Sequence, residues 1–470
     1  MAMTSAEIGL IGLGTMGAAL ALNIAEKGFR IAVWNRTTDV TRRFHAEAGG
    51  LAANVVPTES LKELVAAIKP PRAIILMVPA GKAVDDQIEA LAPLLDKDDL
   101  IIDAGNANFH DTNRRAAADL GVRFMGIGVS GGEEGARHGP SIMAGGNPAD
   151  FERVKPVLTA IAARHGDTPC ATWMGEAGAG HFVKAVHNGI EYADMQMIAE
   201  VYGIMRDGMG LGAADAAAIF QKWNEGTLRS YLVEISGAVA AATDPLTGQP
   251  MLDVILDAAG QKGTGRWTVI EAQHLGAPVP VIEAAVMARN VSSRVDERKA
   301  GEALYGAAPQ KLADAPSADE LEQALIAGKI LCYAQGFTMM TAASATFGWN
   351  LPLPEIARVW RAGCIIRSDM LNDMASALTE DATRNLIMAP DFARRIEAAL
   401  PALRKIVALG ALNGLPVPAL ASGLAWFDLM RTARGTANMI QAQRDFFGAH
   451  GFDRLDGKDA HHGPWGLSAS

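Results

Sequence analysis

The chain has 470 residues, of which 49% are apolar and 20% charged, and its formal net charge is -10. Such a length allows two or three domains with large cores. The acidic balance argues against a general nucleic-acid binder and leaves only a local basic pocket to attract an anionic ligand. The three cysteines, Cys170, Cys332 and Cys364, are far apart and lack metal-ligand spacing. They read as reduced, mostly buried thiols of a cytosolic protein. No apolar run reaches ~18 residues, and no basic stretch precedes an apolar one at the N-terminus. Neither a membrane span nor a signal peptide is expected.

In chain order, Ile8 to Ile11 reads as a strand, Met16 to Glu26 as a helix and Arg30 to Trp34 as a second strand. Ala73 to Val78 and Leu100 to Asp103 read as later strands, the last running into Ala104-Gly105-Asn106. This alternation predicts an α/β fold with a parallel, doubly wound sheet. From Gly180 to Met205 the pattern is one long helix, and almost everything up to about Thr432 is helical. The breaks fall at Asp244-Pro245, Gly263-Thr264-Gly265, and Pro278 with Pro280. The remainder reads as a tail: Gln441 to His450 is polar and aromatic, and Gly463-Pro464-Trp465-Gly466 is unsuited to a regular element. The expected organisation is an α/β domain over 1–178, an all-helical domain over 179–434 and a C-terminal tail over 435–470.

Gly12-Leu13-Gly14-Thr15-Met16-Gly17 is GxGxxG between a predicted strand and a predicted helix. The first glycine allows the tight turn, the second lets backbone approach a pyrophosphate, and the third lets helix and strand pack closely. The anion then sits at the helix N-terminus. After the second strand an NAD site usually carries Asp or Glu for the ribose 2′-hydroxyl. Here stand Asn35-Arg36-Thr37, an amide, a guanidinium and a hydroxyl. A carboxylate would repel a 2′-phosphate, whereas Arg suits one, so NADP is the expected cofactor.

Lys184, His187, Asn188, Glu191 and Tyr192 fall on one face of the long predicted helix. Lys184 and Glu191 are two turns apart, about 10 Å along the axis, so they could reach opposite ends of one small substrate. A plain solvated stripe is the bland alternative, but this one mixes amine, carboxylate, amide and imidazole. It also follows the glycine-rich Gly175 to Gly180, at the expected domain junction, where clefts form. Val129-Ser130-Gly131-Gly132 could present N–H groups and a hydroxyl to a carboxylate or hydroxyls, or be a flexible loop only. Lys262-Gly263-Thr264 combines cation, flexible backbone and hydroxyl, as a phosphate site would, or is a turn only.

Together these segments resemble the decarboxylating 6-phosphogluconate dehydrogenases along nearly the whole chain. The resemblance is carried by Ile101-Ile102-Asp103-Ala104-Gly105-Asn106, by Gly128-Val129-Ser130-Gly131-Gly132-Glu133-Glu134-Gly135-Ala136-Arg137, and by Gly178 to Tyr192. Gly260-Gln261-Lys262-Gly263-Thr264-Gly265, Gly363-Cys364-Ile365-Ile366-Arg367-Ser368 and Gln441 to His450 follow in the same order.

The resemblance implies a Rossmann-like N-terminal domain, a large all-α domain and a tail that threads into the partner of a cytoplasmic homodimer. It implies oxidation of 6-phosphogluconate with NADP, giving ribulose 5-phosphate and CO2, in the pentose phosphate pathway. Lys184 would be the general base and Glu191 the later general acid. Asn106, Ser130, Gly131, Gly132, His187, Asn188 and Tyr192 would hold the sugar acid. Lys262, Arg289 and the partner tail's Arg444 and His450 would surround its phosphate. Val78-Pro79-Ala80 and Asn106 would lie against the cofactor. The chain departs from the family pattern at Gly14, where Ala is usual, and at Pro79, where Lys is usual. A base role for Lys184 requires a lowered pKa. No His/Asp/Glu spacing suggests a metal, so none is expected. Two other readings are a short-chain 3-hydroxyacid dehydrogenase, which needs neither Glu191 nor the phosphate-binding cations, and a non-catalytic NADP-binding sensor, which would lack the Lys184–Glu191 pair.

Overall fold

The computed structural model describes residues 5–307, 311–458 and 461–465, so Gly466 of the closing segment lies outside the described residues. The chain forms two compact units, 1–423 and 424–470.

The first unit begins with an eight-stranded sheet. Its strands are β1 (Ile8–Ile11), β2 (Ile31–Trp34), β3 (Val55–Pro57), β4 (Ala73–Leu76), β5 (Leu100–Asp103), β6 (Arg123–Ser130), β7 (Ser141–Gly145) and β8 (Ala171–Gly175). They lie in the order β8-β7-β6-β5-β4-β1-β2-β3. From β3 to β6 the pairing is parallel. β7 runs antiparallel to β6, with Gly128 opposite Met143, and β8 runs with β7. The expected sheet is therefore parallel over six strands and reversed over the last two. The reason is local: only the short helix Gly132–His138 separates β6 from β7, too little chain for a crossover back to the same direction.

The central strands β1, β2 and β4 are apolar from end to end because both faces of the sheet are covered. Alternate residues serve separate cores: Ile8, Leu10, Ile75 and Ile102 enter one, and Ile11, Ile74, Leu76 and Ile101 the other. Strand order reverses between β1 and β4, and at such a switch point a crevice opens beyond the carboxyl ends of the strands.

The helices that matter here are α1 (Thr15–Glu26), α2 (Phe109–Ala117), α3 (Gly132–His138), α4 (Ala179–Gly203), α5 (Thr264–His274), α6 (Pro280–Ser292), α7 (Ala318–Phe347), α8 (Pro390–Asn413), α9 (Pro418–Met430) and α10 (Ala437–Gly448). α4 is almost wholly buried, packed between the sheet and α7. Its last turn widens into a π-turn over Ile204–Gly208, where Met209 N–H donates to Ile204 C=O at 2.9 Å. α7 starts at a capping box: Glu320 N–H donates to Ser317 Oγ, and Ser317 N–H to the Glu320 carboxylate. It stops at Gly348, with φ +69°. Lys329 of α7 pairs with Asp194 of α4 at 2.8 Å, both side chains buried. Gly263-Thr264-Gly265, expected as a break, falls at a helix boundary: Gly263 is the N-cap of α5, and Thr264 and Gly265 are its first helical residues.

The second unit is more ordered than the expected tail. Gln441 to His450 lies mostly in α10, and the following chain folds back around buried Asp445. That carboxylate accepts from Gly451 N–H, Gly463 N–H, His462 Nδ1 and Trp465 Nε1. No helix among the described residues is long and apolar enough to cross a membrane.

Candidate active site

The glycine loop turns directly off β1. Gly12 has φ +97°, and its N–H donates to Trp34 C=O at 3.0 Å. A Cβ on Gly17 would sit 1.9 Å from Gly12 O, so only glycine lets α1 start this close to the loop. A Cβ on Gly14 would meet nothing within 4 Å, which leaves the outer side of the loop open for a phosphate group. Thr15 and Met16 form the first turn of α1, whose N–H groups and dipole favour an anion. These residues fit a dinucleotide.

Asn35 holds the loop: its Oδ1 accepts from Leu13 N–H at 3.1 Å, while its Nδ2 donates to Thr37 C=O at 3.3 Å on the exposed side. Arg36 and Thr37 beside it are exposed at the end of β2. Val78, Pro79 and Ala80 follow β4 across the switch point, with Pro79 and Ala80 exposed. Asn106 follows β5 and is exposed, just after Gly105, whose N–H donates to Asp103 Oδ1. These loops all leave the carboxyl ends of neighbouring parallel strands, so they rim one crevice.

Ser130 closes β6 at that same edge, and Gly131 (φ +108°) and Gly132 (φ +63°) turn into α3. Here α4 crosses the sheet closely. A Cβ on Gly128 would lie 2.4 Å from Lys184 Cβ, so the bare strand backbone is what admits the lysine stem. The Lys184 ammonium nitrogen is 3.0 Å from Ser130 Oγ and 2.8 Å from Asn188 Oδ1. His187 Nε2 lies 3.2 Å from Ser130 Oγ, and His187 Nδ1 lies 3.4 Å from Lys184 Nζ. Four of the expected residues thus form one buried polar cluster.

Lys184 is 6% exposed. Burial pushes its pKa down, and the nearby Glu191 and Cys364 only partly offset this. His187 is pushed well below the usual range for histidine, first by burial and then by Lys184. Glu191 is partly buried, with its carboxylate 3.8 Å from His187 Nδ1. Burial raises its pKa against the pull of Lys184 and Arg289. A lysine driven toward neutrality and a glutamate driven toward protonation are what a base–acid pair requires.

Tyr192 and Arg289 extend the cluster. The guanidinium lies 3.5 Å from the Tyr192 ring centroid and donates to Gly260 C=O at 3.3 Å. Burial lowers the Arg289 pKa, with Tyr192 and Glu191 acting against it. Gly265 abuts the Tyr192 ring, which places the Gly260–Gly265 segment beside Tyr192. Lys262 is exposed within that segment. Arg444 and His450 lie in the second unit, both exposed; Arg444 Nη1 donates to Gln441 Oε1 at 3.1 Å.

Linear reading missed what backs the cluster. Cys364 is fully buried near Lys184, with its thiol pushed up to about 12 by burial. Gly363 C=O accepts from Ser141 N–H at 2.8 Å, and a Cβ on Gly131 would stand 2.6 Å from that oxygen. Trp360 packs edge-on to His187 at 5.8 Å. The signal for Gly128 was present: isolated glycines in a strand mark close backbone approach.

Fold and site define a dinucleotide-binding protein with a buried lysine and a carboxylate poised at the crevice. Residues 7–175 match the NAD binding domain of 6-phosphogluconate dehydrogenase, and residues 180–465 match the 6-phosphogluconate dehydrogenase C-terminal domain. The chain belongs to the 6-phosphogluconate dehydrogenase family. It is 45% identical to the NAD(+)-dependent, decarboxylating 6-phosphogluconate dehydrogenase of Bacillus subtilis, over 98% of this chain and 99% of that one. It is 46% identical to the NADP(+)-dependent, decarboxylating enzyme of the same organism, over 98% and 100%. The solved Plasmodium falciparum 6-phosphogluconate dehydrogenase, described in apo form and with NADP+ or 6-phosphogluconate, superposes with a TM-score of 0.94. It is 39% identical, covering 98% of this chain and 100% of that chain.

Proposed function

We infer that this chain is a decarboxylating 6-phosphogluconate dehydrogenase. It oxidises 6-phosphogluconate with NADP, releases CO2 and leaves ribulose 5-phosphate for the pentose phosphate pathway. The observation that carries this reading is the pair Lys184 and Glu191, whose surroundings shift their pKa values in the directions that the two proton transfers need.

NADP, held by the glycine loop at the start of α1, would supply the hydride acceptor for C3 of the substrate. Lys184, whose pKa burial lowers, takes the C3 hydroxyl proton as the hydride leaves. The resulting ammonium faces the new carbonyl and supports the enolate charge that develops as CO2 departs. Ser130 and Asn188 hold its nitrogen in place. Lys184 gives its proton to the enolate oxygen, forming the enediol, and Glu191 then delivers a proton to C1 while the enediol hydroxyl returns its proton to Lys184. Asn106, Gly131, Gly132, His187 and Tyr192 would orient the sugar acid, and Lys262 and Arg289 the phosphate end. Arg36 and Thr37 would take the 2′-phosphate; relatives named for either cofactor make this the finer part of the reading.

The full organisation we propose is a dinucleotide domain over 1–178, a helical domain over 179–434 and a tail over 435–470 in a cytoplasmic homodimer. Arg444 and His450 of each tail would complete the partner's phosphate pocket. Their exposure in a folded C-terminal unit supports this. The test is a coupled assay on purified protein that reads NADPH formation and CO2 release together. Equal yields with 6-phosphogluconate are expected. NADPH without CO2, or activity confined to short 3-hydroxy acids, would overturn the reading.

A further inference from the structure

His110, Glu271 and His274 are 161 residues apart at their widest hydrogen-bonded pair, so no linear motif marks them. The fold brings them together. Glu271 is 4% exposed, and its Oε2 is 2.8 Å from His110 Nε2 and 3.3 Å from His274 Nδ1. The three donor atoms lie within 4.8 Å of one another. Both imidazoles are more than half exposed, so the cluster opens to solvent above a buried carboxylate.

We propose that these three side chains form a binding site for a divalent transition-metal ion, best suited to zinc. Two imidazole nitrogens and one carboxylate oxygen are donors that zinc takes in three-ligand sites, with water in the fourth position. Bonds of ~2.0–2.1 Å in tetrahedral array place ligand atoms roughly 3.3 Å apart, and the shared Glu271 oxygen already lies 2.8 Å and 3.3 Å from the two imidazole nitrogens. The two histidines share one carboxylate oxygen, so an ion among the three donors would replace both hydrogen bonds with metal–ligand bonds. Nitrogen-rich donors favour zinc, nickel or copper over magnesium or calcium, which prefer all-oxygen shells.

The positions are preorganised. His110 is held on α2 by its ring contacts, 4.0 Å to Phe109 and 6.4 Å to Phe347. Glu271 and His274 are three residues apart on α5, hence on one face. An ion here ties α2, which directly follows the Asn106 loop, to the helix whose first turn carries Thr264. It is a clamp between the sheet region and the helical region, at the opposite end of α5 from Gly263. The proposed proton chemistry at Lys184 does not use it.

The test uses tag-free, chelator-treated full-length protein. Titration calorimetry with zinc chloride should give one ion per chain, and saturating zinc should raise the melting temperature by about 2 °C. Magnesium chloride should do neither. His110→Gln and His274→Gln remove one metal ligand each but keep a side-chain amide that can still donate to Glu271, so the metal-free protein should stay folded with at most a small drop in melting temperature while zinc binding weakens by about tenfold or more. Glu271→Gln should weaken it likewise. Zinc binding that is absent, equally strong in both histidine variants, or reproduced by magnesium would overturn the proposal. The measurement is independent of turnover, so it stands apart from the activity inferred above.

Discussion

Lys184, the proposed base, sets function against stability at a single residue. Its amine is buried, and burial lowers its pKa. A lysine whose folded pKa lies below its unfolded value costs stability at low pH. The cost is full below the folded pKa and disappears as pH rises past the unfolded value, near 10.4. Lys184→Met should therefore lose turnover by about 100-fold or more while melting at the same or a higher temperature at neutral pH. Turnover above about a tenth of wild type would remove it as the base. Arg36 makes the complementary case for specificity, since it is exposed beside the glycine loop. Arg36→Ala should raise KM for NADP far more than KM for NAD; an equal rise would show that it does not read the 2′-phosphate. Both residues were legible in the sequence, one by its helix face and one by its place after a strand. What the sequence did not give was Asn35's role, since that amide turned inward to hold Leu13 N–H.

At the scale of elements, α4 carries the proposed base and acid at one end and a buried carboxylate at the other. Glu200 accepts from Ala419 N–H at 2.7 Å and Leu420 N–H at 3.0 Å, the opening turn of α9. Burial nonetheless pushes its pKa up to about 7. Its folded pKa exceeds its unfolded one, so the stability linked to its proton is full at low pH and is lost as pH rises through about 7. Glu200→Gln should flatten the decline in unfolding free energy between about pH 5 and about pH 8, an effect on the order of 2–3 kcal/mol. An unchanged slope in denaturant titrations across that range would refute this. Element boundaries were legible where patterns were pure: β1 and β5 stand where expected, and α1 and α4 start within a residue of theirs. β6 was not legible, because Gly126 and Gly128 look like loop residues. Their missing side chains are what let α4 lie against the strand, with a Cβ on Gly126 only 2.7 Å from His181 Nδ1. The helix Ala437–Gly448 was likewise hidden by its polar and aromatic composition.

For the whole molecule, the proposed exchange of tails makes one sharp prediction. Lys184→Met and Arg444→Ala, each inactive or nearly so alone, should regain activity when co-expressed. Tails acting in trans put both lesions in one site of a mixed dimer and leave the other intact, so up to about half the activity per mixed dimer returns. If Arg444 serves its own subunit, every site keeps a lesion and mixing restores nothing. The sequence by itself determined the class of fold, the glycine loop and the polar face of α4, because these rest on local periodicity and on glycines next to one another in the chain. Only the tertiary structure decided which groups meet. It set Ser130 against Lys184, Arg289 against Tyr192, and the Gly363 carbonyl against Gly131. It reversed β7 and β8, folded the C-terminal segment around Asp445, and joined His110 to Glu271 and His274. Contacts between distant segments depend on how close two backbones can approach and on how deeply a charge is buried, and neither quantity has a local signature in the chain.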